Sequence, residues 1–332
     1  MKKKILLITT GGTIASRSGE GGLSPQMSAE EILRYVPSVP ERCRVESLPL
    51  YNLDSTNMEP RHWLGMAHAV RAHYDDYDGF VILHGTDTMS YSAAALSYLM
   101  QDLGKPVVLT GAQRPVDKEV TDAKRNLTDS FLYAADGDSF GVSVVFDGSV
   151  IAGARARKSR TKSFNAFSSI DYPNLAVLRD GAIVRYIRDK RPAGAPVFYD
   201  RLNDRVFVLK LVPGMNPVVL RHLRPYYDAL IIESFGVGGI PCYERDSFMG
   251  ALDAWAAAGG LLVMTTQVPH EGSDMGLYNV GVRVKERFDL IEAYDMTLEA
   301  TVTKLMWILG QTTDYRRVRE LFYKPINHDI IV

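Results

Sequence analysis

The sequence predicts an α/β protein in two parts: a larger N-terminal domain whose parallel-rich sheet is flanked by helices, and a smaller C-terminal α/β domain. Three observations predict it. Apolar runs of strand length alternate with longer segments of helical period, as βαβ crossovers require. The alternation fades over residues 180–204, where Arg188-Asp-Lys-Arg-Pro192 and Ala193-Gly-Ala-Pro196 gather charge, proline and glycine. At 332 residues the chain also exceeds the prior of roughly 150 residues per domain. The expected division is a catalytic domain over 1–180, a linker over 181–204 and a second domain over 205–332.

Each element has its own signal. Lys4–Thr9 (KILLIT) is a short buried strand, and Ser28-Ala-Glu-Glu31 is a capping box that opens a helix running to Tyr35, before Pro37. Arg44–Leu50 is a second strand, and Arg61–Tyr74 has helical spacing. The alternation then repeats: strand Gly79–His84, helix Ser90–Leu103, strand Pro106–Gly111, helix Ala123–Ala135, strand Val142–Phe146. Beyond the fade, strands are expected at Arg205–Leu211, Ala229–Ser234 and Gly260–Thr265. Helices are expected at Pro217–Leu223, Arg245–Ala258, Leu298–Gly310 and Tyr315–Tyr323. In parallel sheets ligands bind beyond the carboxyl ends of the strands, so the residues just after each strand carry the functional question.

Composition removes several function classes. The chain is 46% hydrophobic and 23% charged, with 38 basic against 39 acidic residues and a formal net charge of −1. That lacks the basic footprint of a nucleic-acid binder and favours a small neutral or zwitterionic partner. The only cysteines, Cys43 and Cys242, are far apart, which argues for structural thiols in a reducing compartment. Lys2, Lys3 and Lys4 precede an apolar run, Ile5–Ile8, too short for a secretory signal core, and no stretch approaches the roughly 20 residues of a membrane span. A cytoplasmic protein without membrane contact is expected. The seven histidines show no metal spacing and no G-x-S-x-G elbow exists, so neither a metal, another cofactor nor a serine nucleophile is expected.

Chemistry concentrates in four stretches. Thr10-Gly-Gly-Thr-Ile-Ala15 follows the first strand, and its glycines let the backbone turn sharply and present a Thr hydroxyl at the sheet edge. His84-Gly-Thr-Asp-Thr88 repeats that arrangement after the third strand, adding a carboxylate able to hold an ammonium group. A plain helix cap by Asp87 or Thr88 would account for the same residues. Asp54-Ser-Thr-Asn57 supplies donors and acceptors fit for an amino acid, or simply an Asx-type turn. Gly153-Ala-Arg-Ala-Arg-Lys-Ser-Arg-Thr-Lys162 is a charge run, mostly a solvated face, in which Lys158 and Lys162 are equal candidates for proton transfer.

Together the two threonine motifs resemble those of the bacterial-type asparaginase family, and the absence of a leader resembles its cytoplasmic type I branch. Supporting stretches run nearly the whole chain: Asp54-Ser-Thr-Asn-Met58, Thr110-Gly-Ala-Gln-Arg-Pro115, Pro213-Gly214, Ser234-Phe-Gly-Val-Gly238 and Glu299-Ala-Thr-Val-Thr-Lys-Leu305. The resemblance implies the two-domain asparaginase-like fold, L-asparagine as substrate, and a homodimer or homotetramer. It implies Thr13 as the nucleophile of an acyl-enzyme, with Thr86, Asp87 and a lysine as a second catalytic cluster. Phe167, nine residues on, identifies that lysine as Lys158 by the family's offset. Asp54, Ser55 and Thr56 would grip the substrate's α-groups, with Gly12 and Ala112 completing the pocket. Many family members carry a lid Tyr where Gly21-Gly-Leu-Ser-Pro25 has Leu23, so no general base for Thr13 is assigned.

Overall fold

The computed structural model describes residues 2–19, 22–25, 27–241, 248–277 and 279–331. It divides the chain into two units: one takes in residues up to Asp200 together with Ile326–His328, the other Arg201–Pro325 and the residues from Asp329.

The first unit is built on an eight-stranded sheet. Its strands in chain order are β1 (Lys3–Gly11), β2 (Cys43–Leu53), β3 (Gly79–Leu83), β4 (Pro106–Thr110), β5 (Gly141–Phe146), β6 (Ser149–Ala152), β7 (Ala176–Arg179) and β8 (Ala182–Arg185). They lie in the order β8-β7-β6-β5-β4-β3-β1-β2. The first five are mutually parallel and the last three antiparallel. Helices Pro60–Ala72, Met89–Leu99 and Ala123–Ala134 make the crossovers between the central parallel strands.

The apolar runs form central strands because both faces are covered. Ile5 and Leu7 pack with Val81, Leu83, Leu127 and Phe131 in one core cluster, while Leu6 and Ile8, pointing to the opposite face, are equally buried. The Ser28 capping box forms as predicted, Glu31 N donating to Ser28 Oγ at 3.2 Å and Ser28 N to Glu31 Oε2 at 2.9 Å. Its helix ends at Leu33, and Ser38–Arg42 forms a further short helix past Pro37.

Three differences from the sequence expectations have physical causes. Val142–Phe146, expected as one more strand of a βα repeat, instead enters a hairpin: Asp147 (φ +46°) and Gly148 (φ +74°) form a two-residue turn that returns the chain into β6. Residues 181–204, expected as a linker, carry structure. Asp180 (φ +52°) and Gly181 (φ +72°) turn β7 into the edge strand β8, and Val197–Phe198 pairs with Met100–Gln101. An edge strand of alternating exposure shows no continuous apolar run, which hid it. Finally Arg155, within the expected solvated charge run, is wholly buried. Its guanidinium reaches the carbonyls of His328 and Ile170 and lies over the Tyr172 ring.

The second unit has a parallel sheet ordered β9-β10-β11-β12, from Val206–Lys210, Ala229–Ser234, Leu261–Thr266 and Ile291–Glu292. Helices Val218–Leu223, Phe248–Ala257, Asn279–Phe288, Leu298–Gln311 and Tyr315–Tyr323 accompany it. Cys242 and the start of the helix expected from Arg245 lie outside the described residues. Among the described residues no helix is long and apolar enough to cross a membrane. Lys304, in the Glu299–Leu305 stretch, meets Asp329 at 2.6 Å with both side chains fully buried, and also donates to Lys324 O.

Removing one member of such a pair strands the other charge in a dry interior. Asp329→Ala is therefore expected to destabilise the protein by about 3–5 kcal/mol, read as a lowered midpoint in denaturant unfolding.

Candidate active site

The loops after β1, β2, β3 and β4 meet at the carboxyl edge of the first sheet, and glycine makes the meeting possible. Gly12 has φ +89°, and a Cβ there would lie 2.6 Å from Gly85 N. A Cβ on Gly85 would lie 2.6 Å from Ser55 Oγ, and one on Gly111 would lie 2.3 Å from His84 O. Backbone thus packs on backbone where Gly12 meets Gly85 and Gly111 meets His84, while the Ser55 side chain packs against Gly85; Ser55 and Ala112 are both buried. Thr13 follows Gly12 in a single turn of 3-10 helix, Thr13–Ala15, and is half-buried.

Beside this junction lies a polar cluster. Lys158 Nζ donates to Thr86 Oγ1 at 2.8 Å and to Asp87 Oδ1 at 2.5 Å. The lysine side chain is 14% exposed and the aspartate 60%, so one end of the pair is dry and the other faces solvent. Lys158 closes the short strand Ala156–Lys158, which runs antiparallel to Phe167–Ser169 with Lys158 directly opposite Phe167. Lys162 is exposed and joins no part of the cluster.

Thr86 does not hold its hydroxyl hydrogen toward Lys158, because an ammonium only donates. It donates instead to Gln113 Oε1 at 3.0 Å. Gln113 lies in the Thr110–Pro115 stretch but carried no predicted role; only the fold brings it opposite Thr86. Its place is set by Asp122, whose carboxylate accepts Gln113 N at 3.1 and 2.9 Å, Arg114 N at 3.1 Å and Asn126 Nδ2 at 3.2 Å. Burial raises the Asp122 pKa, against the lowering effect of those donors.

The helix-cap alternative for the second motif is not realised. Met89–Leu99 begins after Thr88 with no side-chain cap. Thr88 Oγ1 donates to Ser55 O at 2.8 Å. In the Asp54 segment the Asx turn and the site coexist. Asp54 Oδ1 accepts Thr56 N and Thr56 Oγ1, both at 3.0 Å, on the exposed rim, while Ser55 turns inward. The 16–19 and 22–25 strands pair so that Leu23 stands opposite Ser18, but the side chain of Leu23 lies outside the described residues. Among the described residues no group of three His, Cys, Asp or Glu could hold a metal ion. Burial pushes the Cys43 thiol up to about 11, which keeps it inert.

Two family models match the chain: "Asparaginase, N-terminal" over residues 4–191 and "Glutaminase/Asparaginase C-terminal domain" over 205–322. The chain belongs to the asparaginase family. It is 38% identical over 329 residues to the L-asparaginase of Thermococcus kodakarensis, covering 98% of this chain and 99% of that one. It is 35% identical over 342 residues to L-asparaginase 1 of Escherichia coli, covering 99% and 98%. The solved thermostable L-asparaginase from T. kodakarensis matches with a TM-score of 0.92 at 36% identity over 99% of both chains. Family membership carries the fold expectation with it, a two-domain asparaginase architecture with the larger sheet in the N-terminal part.

Two stability predictions follow from the packing. Gly12→Ala forces a Cβ into the Gly85 backbone at a positive φ and is expected to cost about 1–3 kcal/mol, measured by denaturant unfolding. His84, wholly buried, has its pKa pushed down to about 4 by desolvation. As pH falls below about 6.5 the unfolded chain binds this proton first, so stability drops toward pH 4 and is fully present above about 6.5. Relative to His84→Asn, the native protein should lose up to about 3 kcal/mol across that window, checked by unfolding at stepped pH.

Proposed function

We propose that this chain is an L-asparaginase that hydrolyses L-asparagine to L-aspartate and ammonia through an ester on Thr13. The observation that carries the reading is the Lys158–Thr86–Asp87 cluster, engaged at 2.8 and 2.5 Å, beside the Gly12-Thr13 turn in a chain of this family. Full-length relatives named L-asparaginase support the choice of substrate. The reading involves no nucleic acid, membrane or cofactor, and resemblance to the cytoplasmic branch of the family supports a cytoplasmic homodimer or homotetramer.

In the first step Thr13 Oγ attacks the side-chain carbonyl carbon. The amide nitrogen leaves as ammonia, taking a proton equivalent to the one the hydroxyl loses, and an ester remains. In the second step water attacks the ester, aspartate leaves and the Thr13 hydroxyl is restored. Lys158 is an ammonium fixed by two acceptors, so it can supply a proton and recover it without moving far. Gln113 holds the Thr86 hydroxyl hydrogen away from Lys158 and so fixes which lone pair of Thr86 faces the lysine. Ser55 and Asp87 would take the α-carboxylate and α-ammonium, Asp87 using the oxygen that Lys158 leaves open. Asp54, Thr56, Gly12 and Ala112 would shape the remainder of the pocket.

The test is ammonia release by purified protein with L-asparagine and L-glutamine in parallel. Faster release from asparagine is expected, with turnover lowered about a thousand-fold or more in Thr13→Ala while folding is kept. Near-normal turnover in that variant would remove Thr13 as nucleophile. Gln113→Leu, which leaves the Thr86 hydroxyl free to rotate, is expected to lower kcat by about 10- to 100-fold and to change KM less. A reversed pattern, KM rising at constant kcat, would assign Gln113 to substrate binding instead.

A further inference from the structure

The peptide between Gly85 and Thr86 is gripped on its carbonyl edge. His84 Nδ1 lies 2.7 Å from Gly85 O, and His84 Nε2 lies 2.8 Å from Ser92 Oγ. Ser92 Oγ in turn accepts the Trp63 Nε1–H at 2.9 Å. His84 and Ser92 are fully buried and Trp63 nearly so. An indole N–H only donates and a carbonyl only accepts. For a neutral ring one assignment of hydrogens satisfies all three contacts. The indole donates to Ser92, the Ser92 hydroxyl donates to Nε2, and Nδ1–H donates to the Gly85 carbonyl.

The consequence reaches Thr86. No peptide bond here is cis, so Gly85 C=O and Thr86 N–H lie on opposite edges of one rigid plane. Fixing the oxygen fixes the direction of the N–H. Among the described residues no acceptor takes the Thr86 N–H, whereas the Thr86 hydroxyl is fully engaged with Lys158 and Gln113. Donation to the carbonyl also polarises the amide and strengthens its N–H as a donor.

We propose that His84 is a positioning residue: through its Nδ1–H it orients and polarises the Gly85–Thr86 peptide so that Thr86 N–H is the donor to the oxyanion formed on the substrate amide. The proposal rests on the hydrolase reading above. A histidine that merely fills the core would make the same hydrogen bonds, and so take the same tautomer, but would not act on kcat.

The experiment pairs kinetics with nitrogen NMR. In the native protein the 15N signals of His84 are expected to show the neutral Nδ1–H tautomer, the less common one, from about pH 8 down to about pH 5. His84→Phe keeps the ring volume without the donor and should lower kcat for L-asparagine by about 10- to 100-fold, with KM within about twofold. His84→Asn, whose amide N–H can stand where Nδ1–H stood, should recover most of that loss. Should His84→Phe not fold, Ser92→Ala decides. It removes the donor to Nε2, and a several-fold fall in kcat with a mixed-tautomer spectrum is expected. An Nε2–H ring in the native protein, a folded His84→Phe with native kcat, or an unaltered kcat in Ser92→Ala would each overturn the proposal. Native protein that releases no ammonia from L-asparagine would instead overturn the activity reading, and the tautomer result would stand apart from it.

Discussion

The site depends on one constraint: at the carboxyl edge of the first sheet, neighbouring loops approach too closely to admit a Cβ at Gly12, Gly85 or Gly111. Gly12 lies on Gly85, Gly85 on Ser55, and Gly111 on the His84 carbonyl. The sheet sets this up. Strands β1, β3 and β4 are neighbours and in parallel register, Thr9 opposite Leu83 and Leu83 opposite Thr110, so their loops leave at one level. Hydrogen bonds at the strand ends then stitch the level together. Thr10 Oγ1 donates to Leu83 O, His84 N to Thr110 O, and Thr110 Oγ1 to Val145 O. A shift of one residue in any of these strands would send the threonines to the wrong face.

Charge at the site is handled by the same economy of position. An ammonium with 14% of its side chain exposed needs acceptors. Lys158 has two, the Asp87 carboxylate and the Thr86 oxygen. The carboxylate stays largely in water, so one oxygen neutralises the lysine while the group as a whole remains open to solvent. In the second unit, by contrast, Lys304 and Asp329 are both fully buried. The contrast is between a pair open to solvent at one end and a pair sealed from it.

What the sequence made legible was the part governed by local rules. Apolar runs located the parallel strands, Ser28 and Glu31 located a helix start, and the glycines of both threonine motifs located the turns. Elements governed by pairing were less visible. The β5–β6 and β7–β8 hairpins depend on Asp147-Gly148 and Asp180-Gly181, and a short edge strand such as β8 has no hydrophobic run to announce it. Within the candidate site, the neighbouring placement of Thr86 and Asp87 was legible because one motif carries both. From the residues alone Lys158 and Lys162 were equivalent, because only the folded hairpin sets Lys158 against Thr86 and Asp87 and leaves Lys162 exposed. Gln113 and Asp122 carried no local signal at all, since their roles exist only once the β4 loop folds over the start of the helix Ala123–Ala134.

Two chains of hydrogen bonds converge on Thr86, and each runs in one direction because its end members allow no other. An ammonium can only give, so the hydroxyl of Thr86 must pass its hydrogen on to Gln113. An indole can only give and a carbonyl only receive, so the chain from Trp63 through Ser92 and His84 must end by donating to Gly85 O. The first chain fixes the lone pairs of the Thr86 oxygen, and the second fixes the face to which its N–H points. Dipoles held this way need little reorientation when charge develops nearby, and such reorientation is what water must do in the uncatalysed reaction. The burial of His84 belongs to the same logic. A ring that stayed half-protonated near neutral pH would carry both N–H groups, reverse its bond to Ser92, and leave the direction of the chain to the solvent.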